Sequence, residues 1–208
     1  MAPTTMNAPT LTKDAAAAWL APFNLANKVT VLGIRGYFEP AAGNKRGIYD
    51  DALFIISPDF FKGYNANCDP SVGRPGIAVL QAGTYWYKKG LHGMRHLDQT
   101  NPEDQQRYQE LIRTGKDVPG YTACYWALRQ DSNVVVKRDG QSVTETDSPD
   151  NRFWIDIHRG GYNTTSSLGC QTVHPDLWEN FRANIFEEMI NNAEPRIPYV
   201  LVENKINS

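Results

Sequence analysis

The sequence predicts a mainly β fold, a β-sandwich or open barrel, with peripheral α-helices. Short stretches rich in β-branched and aromatic residues alternate apolar with polar positions, turn-forming Gly, Pro, Asn and Asp separate them, and only three segments carry helix punctuation. The 208 residues fit one domain with a sizeable core, and 41% hydrophobic against 21% charged residues is a globular composition. A net charge of −2 supplies no basic face for nucleic acid. No apolar run is long enough to insert in a membrane.

Residues 1–12, MAPTTMNAPTLT, lack the basic start and apolar centre of a secretory signal and read as a flexible arm, leaving 13–208 as a single domain. KDAAAAWLAPF predicts a short alanine-rich helix ended by Pro22 and packed through Trp19, Leu20 and Phe23. KVTVLGIRGYF alternates as a strand, a turn follows at Gly43–Gly47, and YDDALFIIS is a second strand closed by Pro58. Residues 60–93 hold four turn signals and two short strands, with Asn65, Asn67, Asp69 and Pro70 read as a long ordered loop of the kind that borders a site. A calcium loop there lacks the spaced acidic ligands and terminal glutamate.

His92 and His96 stand four apart, the spacing for zinc on one helical face, but Gly90 and Gly93 oppose a helix and no glutamate follows His92. PEDQQRYQELIRTGK begins with Pro and acids and stops at Gly, a helix inserted between strands that could act as a lid. YTACYWALRQ and NVVVKRDGQSV are strands joined by a polar turn at Asp131–Asn133, and Asp139-Gly140 signals a hairpin. The last segment predicts a helix from Pro175 and Asp176, with Leu177, Trp178, Phe181, Ile185 and Ile190 toward the core, and then a strand. Three cysteines cannot all pair within one chain. A Cys68–Cys124 bridge would leave Cys170 over, and three reduced thiols are the alternative.

The chemistry concentrates in FWIDIHRGGYNTTSSLGCQTV, residues 153–173. Phe153–Ile157 reads as a strand with His158 at its end, and the glycines, threonines and serines that follow read as a tight loop closed by Cys170. A thiol becomes a nucleophile when an imidazole takes its proton. Twelve positions separate His158 from Cys170, enough for the loop to fold back and bring them together. Gly169 permits a sharp turn, so that amides near Gly169 and Cys170 could hold an oxyanion. Ser167 would bind substrate or steady the loop. Asp156, two before His158, would either orient its imidazole or stand as a solvated carboxylate. Arg159 would bind a substrate carboxylate if the chain turns there.

His, a loop, then Ser-x-Gly-Cys and a hydrophobic strand is similar to the signature of the L,D-transpeptidase (YkuD-type) catalytic domain family, cysteine acyltransferases of bacterial cell walls. AGTYWYKKG also resembles a strand found upstream of that motif. The resemblance implies Cys170 as nucleophile and His158 as base, with Ser167 and Gly169 matching the serine and glycine of the motif. It implies substrate contacts around the pair, at Arg159, Gly160, Ser166 and Thr172, and neither cofactor nor metal. Leu168 stands where the family usually has a second histidine, Thr172 where it has a polar or basic residue, and the loop is shorter than usual.

The implied partner is a peptidoglycan stem peptide. Its third-residue carbonyl would be attacked and the thioester resolved by an amine or by water. The Leu168 departure and the N-terminal composition favour a lytic role, made in the cytoplasm and delivered by phage release or by injection into a rival bacterium. Two other classes remain open: a zinc peptidase built on His92 and His96, and a phage structural or binding module that uses the loop as a scaffold.

Overall fold

The computed structural model describes residues 8–25, 27–38, 44–146 and 153–204. The predicted turn at Gly43 and most of the connection before Phe153 lie outside the described residues. Eleven strands and three α-helices are laid out along these segments. Strands β1 (Thr30–Arg35), β2 (Asp51–Ile56), β3 (Phe61–Asn67), β5 (Gly83–His92), β6 (Tyr125–Gln130), β9 (Ile157–Arg159), β10 (Gln171–Val173) and β11 (Arg196–Glu203) form a barrel in the order β1-β11-β5-β6-β9-β10-β3-β2. β4 (Val79–Leu80), β7 (Val134–Arg138) and β8 (Gln141–Glu145) make a separate three-stranded sheet.

The fold is mainly β, as the alternation indicates, but the barrel is closed, because β2 returns to pair with β1. Two parallel pairs make closure possible: β1 with β11, and β9 with β10. Parallel neighbours need long crossovers, and hairpin signals in a sequence report only antiparallel ones. The polar turn at Asp131–Asn133 accordingly joins the two sheets instead of forming a hairpin, whereas Asp139-Gly140 does turn β7 into β8, with φ of 47° and 86°.

Side chains alternate across the barrel wall. Val31, Leu53, Ile55, Tyr64, Tyr87 and Tyr199 point into the main core, and Leu32, Ile34, Ala52, Phe54 and Val200 point outward. The outward set is buried too, because helix α1 (Lys13–Leu20) covers it with Ala16 and Leu20. Both faces of β1 and β2 are therefore dry.

Helix α3 (Pro175–Asn191) enters the main core through Trp178, Phe181, Ile185 and Met189. Ile190, expected inside, is 77% exposed. Positions 178, 181, 185 and 189 keep the helical period, and 190 falls a third of a turn beyond it. Helix α2 (Pro102–Thr114) is inserted between β5 and β6 as expected, capped by Asn101 and ended by Gly115. It rests on its own cluster of Leu91, Leu111, Tyr121 and Cys124.

Two further expectations are corrected. Asn65 and Asn67 lie inside β3 and are buried; Asn67 pairs with Thr172 of β10, and Asn65 O accepts from His174 N at 3.0 Å, so neighbouring strand and helix cap satisfy backbone that a surface loop would give to water. Phe153–Asp156 is not a strand, and β9 begins only at Ile157. Its ladder to β6 has the single register pair Leu128–Ile157, and side chains continue the seam. Ile155 N donates to Gln130 Oε1 at 2.8 Å, and Gln130 N donates to Asp156 Oδ1 at 3.4 Å.

Candidate active site

The parallel β9/β10 pair sets Gln171 beside Ile157 and Thr172 beside His158, so Cys170 leads into β10 next to Asp156. The Asp156 N–H donates to Cys170 Sγ at 3.4 Å, and the thiol reaches Trp154 O at 3.8 Å. Cys170 is half-buried, while Cys68 and Cys124 are fully covered; all three are free thiols. Burial pushes the Cys68 thiol well up, and the Cys124 thiol up to about 11. Cys68 stands in the barrel core and Cys124 in the α2 cluster, so the Cys68–Cys124 bridge is not formed. Of the three, only Cys170 is partly exposed; a covered thiol in apolar surroundings is inert.

His158 is buried, and its Nδ1 lies 2.8 Å from Arg159 O. A carbonyl only accepts, so Nδ1 carries the hydrogen and the neutral ring keeps its lone pair on Nε2. His92, at the end of β5, stacks on this ring with centroids 3.9 Å apart and planes 14° from parallel. His92 Nδ1 is 2.8 Å from Asp156 Oδ2. Asp156, read either as orienting His158 or as a solvated carboxylate, is instead buried and holds His92. Strand alternation would have put Asp156 and His158 on one face, but the chain at Asp156 is not yet strand, and its side chain turns toward β5 and β6.

The loop before Cys170 is fixed by its own hydroxyls. Ser167 Oγ donates to Cys170 O at 2.6 Å and accepts from Gly169 N at 3.0 Å. Ser167 is 2% exposed, so it steadies the loop and does not reach substrate. The same bond occupies the Gly169 amide, which is thereby removed from the expected oxyanion site. Gly169 has φ of 144°, and a Cβ there would stand 2.9 Å from Ala78 O, so the turn into the cysteine requires glycine.

Among the expected substrate contacts, Arg159, Gly160 and Ser166 line a groove of about 550 Å³, together with His92, His96, Tyr125, His158 and Tyr162. Thr172 does not, because the β9/β10 ladder encloses it completely. Arg159 is exposed, its guanidinium over the Tyr125 ring, with no carboxylate partner among the described residues. His92 and His96 end β5 and a short 3-10 turn, so they share no helical face, and no group of three His, Cys, Asp or Glu among the described residues could hold a metal ion. Helix α2 contributes nothing to this groove lining.

Sequence reasoning missed the pairing of His92 with Asp156, the seam-closing Gln130, and the two residues that pin the loop from outside, Ser71 and Tyr49. Each lies dozens of positions away, where no local pattern connects it to Cys170. Comparison with family descriptions, with curated proteins and with solved structures finds no match to this chain.

Proposed function

We propose that the chain is a cysteine-dependent acyltransferase or hydrolase of peptidoglycan stem peptides, similar in chemistry to the L,D-transpeptidases. One observation carries the reading: the half-buried thiol of Cys170 follows a glycine turn beside β9, where His158 is held by Arg159 O in the tautomer that a general base needs. His158 Nε2 takes the thiol proton, the sulfur attacks the carbonyl of the third stem residue, and protonated His158 delivers its proton to the leaving amine. A thioester on Cys170 results. Water resolves it to a shortened peptide, an amine to an exchanged one, and the loss of the motif's second histidine at Leu168 favours water. Arg159, exposed and without a carboxylate partner among the described residues, is suited to a carboxylate of the peptide. The site of action is the cell wall, reached by phage release or by injection as an effector.

The test is mass spectrometry of purified muropeptides incubated with the wild type and with Cys170→Ala, both matched by circular dichroism. Trimming or exchange after the third stem position by the wild type alone supports the reading. Equal behaviour of the two proteins overturns it.

A further inference from the structure

The two stacked imidazoles are not equivalent, and the difference divides the work between them. His158 is buried, two rungs from Cys170 along the β9/β10 pair, and its Nδ1 is tied to a backbone carbonyl. His92 comes from β5, its side chain is 22% exposed, and its Nδ1 is tied to a carboxylate that is itself only 5% exposed. Its Nε2 has no hydrogen-bond partner among the described residues, and its ring belongs to the groove wall. A buried carboxylate on Nδ1 fixes the tautomer, orients the ring and stabilises the imidazolium that forms when Nε2 takes a proton. An Asp–His pair that opens to a groove is the arrangement of a general base, and the proposed thiol activation leaves it unused.

We infer that His92, held by Asp156, is the base of the second half-reaction: it removes a proton from the water or amine that discharges the Cys170 thioester. The inference rests on the acyl-enzyme proposed above. With the acyl group on Cys170, two rungs from buried His158, the incoming nucleophile approaches from the groove, where His92 is the accessible ring. As the new C–O or C–N bond forms, His92 Nε2 takes the proton of the nucleophile. As the C–S bond breaks, the Cys170 sulfur departs as a thiolate; His92 gives up its proton to water in the groove, and the sulfur takes one proton back from water to restore the thiol. Free enzyme is restored, and every proton is accounted for.

The experiment follows the acyl-enzyme by intact-protein mass spectrometry after mixing with muropeptides, for the wild type, His92→Gln, Asp156→Asn, His158→Gln and Cys170→Ala. His92→Gln is expected to accumulate the adduct while turnover falls about a hundredfold or more. Added hydroxylamine, a nucleophile that needs no base, should discharge that adduct as fast as it discharges the wild-type one. Asp156→Asn should accumulate the adduct too, and it supplies the answer if His92→Gln fails to fold. His158→Gln and Cys170→Ala should form none.

Turnover by His92→Gln and Asp156→Asn at the wild-type rate overturns the inference. So does loss of adduct formation in both, which would place the Asp–His pair in the first step or in the fold; the reading of Cys170 and His158 would survive either result. Activity retained by Cys170→Ala overturns that reading and this inference together.

Discussion

Ser71 and Ser167 hold each other by two hydrogen bonds: Ser71 N donates to Ser167 O at 2.9 Å, and Ser167 N donates to Ser71 Oγ at 2.7 Å. Ser71 Oγ also meets Thr165 Oγ1 at 2.7 Å. One hydroxyl from the segment after β3 thus anchors the loop that presents Cys170.

Ser71→Ala leaves the first bond and removes the other two. Ser167 is buried, so its N–H would lose its acceptor without gaining water, at a cost of about 1–3 kcal/mol. The expected outcome is a lower Tm and faster amide exchange confined to residues 161–169, while Ser71→Thr, which keeps the hydroxyl, stays near the wild type. Uniform exchange across the barrel in Ser71→Ala would show that the loop is not held this way.

How far the sequence reaches is visible in the same loop. His158, Cys170 and the glycine turn between them were legible because each signal is local: a β-rich stretch, a glycine-rich loop, a thiol before the next element. The Asp139-Gly140 hairpin, and the Pro102 start and Gly115 end of α2, were legible for the same reason. The partners of the site were not. His92 reaches Asp156 across 64 positions and Ser71 reaches Ser167 across 96, and only the closed strand order brings them together. That order depends on the parallel β1/β11 pair, which leaves no turn motif behind. Asn65 and Asn67 misled because asparagine favours turns when its backbone is free, and here β2 and β10 take up the backbone of β3.

Gly160 and Tyr49 should behave as a coupled pair. Tyr49 donates its hydroxyl to Gly161 O at 2.7 Å, and a Cβ at position 160 would run into that hydroxyl. Gly160→Ala therefore displaces Tyr49 and breaks the bond, with an expected loss of about 1–3 kcal/mol. Tyr49→Phe alone should cost about 1 kcal/mol. In the double variant the ring carbon Cζ would still stand 3.0 Å from the new methyl, a contact that small shifts relieve. The double variant should consequently lose less than the two single losses added together. Urea denaturation of the four proteins checks this, and strict additivity would mean that the hydroxyl is not what excludes a side chain at 160.

Asp50 gives stability a pH dependence that can be isolated. It is buried; Lys45 N donates to its Oδ2 at 2.8 Å, while its Oδ1 has no hydrogen-bond partner among the described residues. Burial disfavours the carboxylate, nearby Asp69 adds to the effect, and the group is pushed up from 3.8 to about 6. A carboxyl whose folded value lies above its unfolded one favours the folded state most when both are protonated, below the unfolded value. That contribution is lost as pH rises through the folded value. The window for Asp50 is therefore about pH 4 to 6, with the loss complete near pH 7. Asp51, raised by its own burial, contributes in the same direction and is present in both proteins to be compared. Asp50→Asn keeps an acceptor for Lys45 N and cannot ionise, so its Tm minus that of the wild type should climb from pH 4 to pH 7 and then level off. Parallel Tm curves for the two proteins across that range would mean that Asp50 titrates in the folded chain as it does in the unfolded one.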